Sequence, residues 1–427
     1  MAENFLYRCI DCGNGYEPDG VHYLCPSCSR KNTHDAPPYG VLKVLYDYPS
    51  VRSYRTGLQL FDELEAASFI PLLPIRSIDS LPPLQIGKTP VYKTQIFNNK
   101  GETFEVFLKD DSQNPTFSFK DRASALVSAW AKENGIRTIA AASTGNAGSS
   151  LAGICAAQGQ HSVIFVPASA PVAKLTQMMM YGARVIPVNG SYDDAFDLCI
   201  QATEQFGLYN RNTAFNPLTI EGKKTVSFEI FRQLDGKLPD RIFVPVGDGV
   251  ILSGVYKGFE DLLELGIISK MPVVVAVQAE GSNNLVRNLG GVSFHSNASN
   301  TLADSISVDI PRNFRMAAGF LQKYHGESLS VSDEEILDAS LSLSRSHGLF
   351  TEPASSAAYA GLLKYISDPE MGNGIRCLVL LTGSGLKDLQ AVKSRIRLPD
   401  PVAPGPSALQ HLFIDNSWYA DDHFLPE

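Results

Sequence analysis

From residue 104 onward the chain keeps one rhythm: a short apolar, β-branched run, then a longer stretch with helical periodicity. The runs at 137–142, 162–167, 184–188, 241–246, 272–278 and 377–381 are too short and too apolar to be anything but buried strands. Between them, 119–134, 147–158, 172–181, 192–206, 220–234, 252–265, 333–347 and 353–366 carry helix-spaced apolar residues. Strands separated by helices of this length return in the same direction. The pattern therefore predicts an α/β fold with mostly parallel sheets. The 427 residues suffice for two or three domains, and 44% hydrophobic content is enough to fill their cores. No period in the sequence suggests repeats.

The first 35 residues break this rhythm. Cys9-x2-Cys12 and Cys25-x2-Cys28 are separated by twelve residues, near the spacing of a four-cysteine zinc site. Gly13 permits the tight turn beside Cys12. Four thiolates would fill a tetrahedral zinc and leave no open position, so a structural ribbon is expected. Cys155, Cys199 and Cys377 lie in apolar surroundings and read as ordinary buried thiols. Residues 36–90 are proline-rich, with a short helix expected at 61–69. The tail beyond residue 398 carries four prolines before Leu409 and is expected to wrap the surface. The start of the chain has no apolar core of signal-peptide length, and no stretch is apolar for about 18 residues, so a cytoplasmic protein without a membrane span is expected. A net charge of −9 and the lack of a basic, aromatic-interleaved face argue against nucleic acid as partner.

Ligands in open α/β sheets gather at the carboxyl ends of strands. Three strand ends here carry unusual loops. Ser143-Thr144-Gly145-Asn146-Ala147-Gly148 offers hydroxyls, an amide and the N–H groups of a helix start, a site suited to a carboxylate. Val246-Gly247-Asp248-Gly249-Val250 lets the backbone bend so that N–H groups converge, which suits a phosphate, although Asp248 fits only if its carboxylate turns away. Leu381-Thr382-Gly383-Ser384-Gly385 offers hydroxyls that can meet a neutral ring nitrogen. Lys120 stands at a helix start, inside Asn114-Pro115-Thr116-Phe117-Ser118-Phe119-Lys120-Asp121-Arg122. There the helix dipole disfavours its charge, and a lysine that sheds its proton is a nucleophile for a carbonyl cofactor.

These segments, with Tyr181-Gly182-Ala183, Asn216 to Thr225 and Glu352-Pro353-Ala354-Ser355, run from about residue 85 to 390. In that order the chain resembles the threonine synthase family of fold-type II (tryptophan-synthase-β-like) pyridoxal-phosphate enzymes. The resemblance implies pyridoxal 5′-phosphate as cofactor and a carbon–oxygen lyase that makes threonine from O-phosphohomoserine and water. It implies that Lys120 forms the imine and shuttles protons, and that Asn146 meets the cofactor's ring hydroxyl. Ser143, Thr144 and the N–H groups near Ala147 would hold the substrate carboxylate. Gly247, Asp248, Gly249 and Val250 would bind the cofactor phosphate, and Thr382 would face the pyridine nitrogen. The domains implied are a zinc ribbon at 1–35, a large cofactor-binding domain at 36–135 and 211–398, a small mobile substrate domain at 136–210, and a tail at 399–427. A homodimer is also implied.

Three places depart from the family: Thr213-Ala214 stand where Asn-Ser is common, Pro167-Ala168-Ser169-Ala170-Pro171 lacks the usual Gly-Lys pair, and the third bears on the leaving group. An arginine of the Asn-Pro-aromatic-Arg-x-Glu-Gly segment is replaced by Thr219. A charge-assisted fork for the leaving phosphate is thereby lost, and Lys174, Lys223, Lys224 and Arg184 are the cations considered in its place. Two further readings stay open on this account. One is a threonine/serine dehydratase or a β-replacing enzyme of the cysteine/cysteate synthase type. The other is a catalytically inactive zinc-ribbon binding protein.

Overall fold

Three strands with almost unbroken apolar sequence, β10 (Arg241–Pro245), β11 (Val273–Ala279) and β13 (Arg376–Leu381), form the middle of a six-stranded sheet. Such composition is what a strand covered on both faces requires. The sheet order is β12-β11-β10-β13-β5-β4, with β12 at Glu327–Val331, β5 at Thr103–Asp110 and β4 at Val91–Phe97. All neighbours are parallel except the edge pair β4 and β5. The computed structural model describes residues 5–18, 20, 23–52, 55–98, 100–170, 172–368, 374–397 and 401–406, the side chains of residues 173 and 174 excepted.

Strand residues alternate between the two faces of this sheet, as a period of two demands. Ile242, Val244, Val274, Ala276, Leu378 and Leu380 enter one core with α3 (Lys120–Glu133), α7 (Leu218–Gln233) and α8 (Val250–Glu264). Phe243, Val275, Val277, Cys377, Val379 and Leu381 enter the other with α10 (Asp333–His347) and α11 (Pro353–Ile366). At about 25 cal/mol per Å² of apolar area, burial of this kind supplies most of the drive to fold.

A second, four-stranded parallel sheet, order β8-β7-β6-β9, is built from β6 (Thr138–Ala142), β7 (His161–Pro167), β8 (Arg184–Val188) and β9 (Tyr209–Asn210). Its connections are α4 (Asn146–Gln158), α5 (Val172–Met180) and α6 (Tyr192–Phe206). Ser191 opens α6 with a capping box to Asp194, a start legible in the sequence.

The cysteine region is a small antiparallel sheet, order β2-β1-β3: β1 (Phe5–Cys9), β2 (Gly15–Tyr16) and β3 (Leu42–Tyr46). Its third strand comes from beyond residue 35, inside the segment expected for the large domain. Short helices α1 (Tyr48–Arg52) and α2 (Gly57–Ala66) follow it, α2 lying earlier than the expected 61–69. Strands β3, β4, β5, β9 and β12 and helix α9 (Phe314–Lys323) are absent from the sequence reading. Strand β4 shows why: its residues are exposed or half-buried throughout, so no apolar run marks it.

Compact clustering separates residues 1–391 from residues 392–427. Within the second unit the described part holds a single 3₁₀ turn, Lys393–Arg395, and the expected tail at 399–427 falls outside the described residues except for 401–406. Among the described residues no helix is long and apolar enough to cross a membrane.

Candidate active site

The segment before Lys120 is held by backbone rather than by a helix cap. Phe119 N–H donates to Thr382 O at 2.8 Å, Ser384 N–H to Phe117 O at 3.1 Å, and Ser118 bridges Gly383. Phe117 adopts a left-handed φ of +67°, unusual for a bulky residue. Asp121 accepts from Thr116 N–H at 2.7 Å and Thr116 Oγ1 at 2.5 Å, closing the turn from inside. The loop after β13 thus fixes the first residue of α3, and that residue is Lys120.

Lys120 Nζ faces a cavity of about 330 Å³. Burial, followed by the neighbouring Arg211 charge, brings its amine down to about 8, while Glu352 and Asp248 pull the other way. The dominant cause is desolvation, which is how proteins ready a lysine for a carbonyl. The cavity wall also contains Ser143, Thr144, Asn146 and Ala147 from the turn after β6, Arg211 to Thr213 after β9, and Asp248 after β10. Each of these lies at or just beyond a strand's carboxyl end, as the layer topology dictates.

The other expected site residues lie close to this cavity but outside its wall. Gly247 is overlaid by the 304–312 segment, since a Cβ there would come within 2.9 Å of Ile306 Cα. Gly249 caps α8 in a left-handed conformation, φ +87°, that only glycine adopts freely. Val250 begins α8, whose first N–H groups have no acceptor within the helix. Asp248 is half-buried and its Oδ1 accepts from Arg312 N–H at 3.3 Å, so the carboxylate has a donor of its own. Burial raises its pKa, countered by Arg312, Lys120 and Lys223. Thr382 is tied by its carbonyl to Phe119 and by its N–H to Ser355 Oγ at 2.8 Å.

Asn146 is more engaged than its sequence suggested. Its amide donates to both oxygens of Glu352 at 2.8 and 2.9 Å and to Ser305 Oγ at 3.3 Å. Glu352 is buried, and desolvation raises its pKa against the opposing pull of Asn146, Lys387 and Lys120. Thr219, at the position of the missing arginine, is fully buried and donates to Asn216 O at 2.7 Å, so its hydroxyl closes the first turn of α7. Lys224 is consumed by Glu221 and Asp261 at 2.5 and 2.7 Å. Arg184 is exposed on β8, and the Lys174 side chain lies outside those described.

Sequence reasoning passed over Arg211, Tyr192 and Arg312, all on the cavity wall. Arg211 follows a two-residue strand, too short for any periodic signal. Among the described residues, Arg211 Nη2 and Lys223 Nζ are buried and lack hydrogen-bond partners. A buried cation without an anion is costly, so this pocket is built to receive negative charge. A primed lysine, an open helix start behind a glycine loop and an unmet guanidinium together fit pyridoxal phosphate. The residues that would hold it are Lys120, Asn146, the 247–250 loop and Thr382.

In the N-terminal region, the Sγ atoms of Cys9, Cys12, Cys25 and Cys28 all lie within 4.8 Å of one another. Gly13 sits at φ +75° beside them and donates its N–H to Cys9 O at 3.0 Å, the knuckle its sequence foretold. Tyr16 Oη lies 3.0 Å from Cys25 Sγ. This cluster is compatible with a zinc ribbon. Cys155, Cys199 and Cys377 are buried, as expected.

Residues 83–383 match the model of the pyridoxal-phosphate dependent enzyme family. Threonine synthase of Methanocaldococcus jannaschii is 33% identical over 396 residues, covering 90% of this chain and 94% of that protein. Threonine synthase of Methanosarcina acetivorans is 36% identical over 389 residues, covering 90% and 93%. Among solved structures, an O-ureido-L-serine synthase superposes with a TM-score of 0.61 at 22% identity, covering 78% of this chain and 97% of that one, a likeness of fold. Sequence, fold and cavity agree, and the chain belongs to the threonine synthase family of pyridoxal-phosphate-dependent lyases.

Proposed function

We propose that this enzyme converts O-phosphohomoserine and water to threonine and phosphate. The observation that carries the reading is the meeting of Lys120, the 143–147 turn and the Asp248 loop on one cavity, in a chain whose curated relatives are called threonine synthases. Bound pyridoxal phosphate would supply a carbonyl for the amine and a ring that accepts the electron pair left by a departing Cα proton.

The protein's part is orientation and proton control. The N–H groups of 247–250 at the start of α8 would hold the cofactor phosphate with the helix dipole behind them. Asn146 and Thr382 would hold the ring. Ser143, Thr144 and the N–H groups at Ala147 would fix the substrate carboxylate and so aim the Cα–H bond. Lys120 Nζ would take that proton and then one from Cβ as the γ-phosphate leaves, and would return protons to Cγ and Cα as water adds at Cβ. Its amine, near 8, can do both at neutral pH. The segment 136–210 would act as the small moving body that carries the carboxylate loop, and we read the functional unit as a cytoplasmic homodimer. We also assign a structural zinc to Cys9, Cys12, Cys25 and Cys28.

Thr219 supports a second reading, because its committed hydroxyl offers no fork for a γ-phosphate. In that reading the leaving group sits on Cβ, and the enzyme is a dehydratase or a β-replacing enzyme. Supplying O-phosphohomoserine, threonine, serine and O-phosphoserine in turn and identifying products separates the two. Threonine with stoichiometric phosphate is expected from the first substrate. Ketobutyrate, pyruvate or a β-substituted alanine as the main product would replace the proposal with the second reading.

A further inference from the structure

Arg211 is a fully buried guanidinium on the cavity wall. Its Nε donates to Ser124 Oγ at 3.1 Å and its Nη1 to Thr213 Oγ1 at 3.0 Å. Both partners are neutral hydroxyls. They fix the plane of the fork and leave Nη2 without an acceptor. Burial draws its pKa down, but only to about 10, so it is charged at neutral pH.

The nearby acids are otherwise engaged. Asp121, the leading electrostatic partner of Arg211, accepts from Thr116 through both oxygens. Asp248 accepts from Arg312 N–H, Asp193 pairs with the Arg312 side chain, and Asp309 accepts from Ser299 N–H at 2.7 Å. Burial, with the Arg211 charge nearby, draws the amines of Lys120 and Lys223 down toward their neutral forms, so Arg211 is the standing cation of the group. A buried charge with no counterion is stable only where something else brings one.

We propose that Arg211 anchors the distal oxyanion of the substrate, the leaving phosphate, through Nη2, from the end of β9 instead of from the first turn of α7. The assignment rests on the threonine synthase reading for the identity of the phosphate. It also answers the difficulty raised by Thr219: the cation is present on the neighbouring strand end. Ser124 and Thr213 already fix the plane of the fork, so binding an anion costs the side chain little further ordering.

The test is titration of inorganic phosphate into the holoenzyme, followed by calorimetry. The bound cofactor fills its own phosphate loop, so added phosphate reports the second site. A charge-assisted hydrogen bond of ordinary strength predicts that R211M weakens phosphate by about 10-fold or more. R211K, which keeps the charge without the fork, should fall between R211M and the parent, and it carries the test if R211M does not fold. The KM for O-phosphohomoserine should rise in the same order, with cofactor content unchanged. Equal phosphate affinity in parent and variants, or no saturable phosphate binding to the parent, would overturn the proposal. So would a variant that loses cofactor while binding phosphate normally, since Arg211 would then serve the cofactor. If the parent makes no threonine, the reading of the reaction fails, and the phosphate titration still decides the anchor.

Discussion

Arg122 stands two residues after Lys120, and replacing it with methionine is expected to unfold the site from below. The side chain is buried. Its Nε and Nη2 donate to Asp111 at 2.6 and 3.0 Å, and its Nη1 and Nη2 to Glu229 at 2.7 and 2.8 Å. Methionine fills similar space but strands Asp111 and leaves Glu229 with Lys109 alone. Breaking a buried pair in this way costs about 3–5 kcal/mol. A second route gives the same order. Burial alone would raise Glu229, yet Arg122 and then Lys109 hold it down at about 2 against an ordinary 4.5, a difference of roughly 3 kcal/mol. A carboxylate held low stabilises the fold fully above pH ~4.5 and loses that contribution as pH falls toward 2. At pH 3.5 roughly 2 kcal/mol of it should remain. Lys109 still reaches Glu229 at 2.7 Å after the substitution, so part of this contribution survives. Urea unfolding of parent and R122M at pH 7 and pH 3.5 is the assay. The penalty should be about 3 kcal/mol or more at pH 7 and visibly smaller at pH 3.5. Adding D111N to R122M should recover about 1 kcal/mol or more, because the carboxylate left without its cation is gone. A penalty below about 1 kcal/mol at neutral pH, or one that does not change with pH, would refute the reasoning.

Other outcomes follow from single features. Capture of pyridoxal phosphate by cofactor-free protein should quicken as pH rises through about 8 and then level off, because only the neutral Lys120 amine attacks; a flat stopped-flow profile would contradict this. Lys120→Ala should lose both turnover and the visible absorbance of lysine-bound cofactor, and keeping either would unseat the assignment. Metal analysis should find about one zinc per chain, and C9S with C28S should abolish it; metal retained by that double variant would show that the thiols are not its ligands. Gly222→Ala should lower the thermal midpoint, since the new Cβ would meet the Arg122 carbonyl and lie 2.7 Å from Ala123 Cα. Overpacking against backbone costs about 1–3 kcal/mol, and an unchanged midpoint would mean α3 and α7 separate easily.

The parallel strands were legible because burial on both faces leaves a continuous apolar run, and β8, α6, α10 and α11 fall at the residues their patterns set. Strand β4 was not legible, since an edge strand with polar faces looks like a loop. The third ribbon strand was missed because its partner is thirty-odd residues away and pairing of that kind leaves no local mark.

The site divides along the same line. The sequence by itself determined the residue types and the local geometry: Lys120 at a helix start, glycine loops after strands, and four cysteines in two knuckles. These are short-range features, set by backbone sterics and by chemistry within a few residues. Only the tertiary structure decided how desolvated Lys120 is, that Asn146 is paired with Glu352, and that Thr219 is turned inward. It alone placed Arg211 beside Lys120 with one nitrogen unmet. Burial and unpaired charge are sums over every group packed nearby, drawn here from segments some ninety residues apart, and no local pattern records that sum.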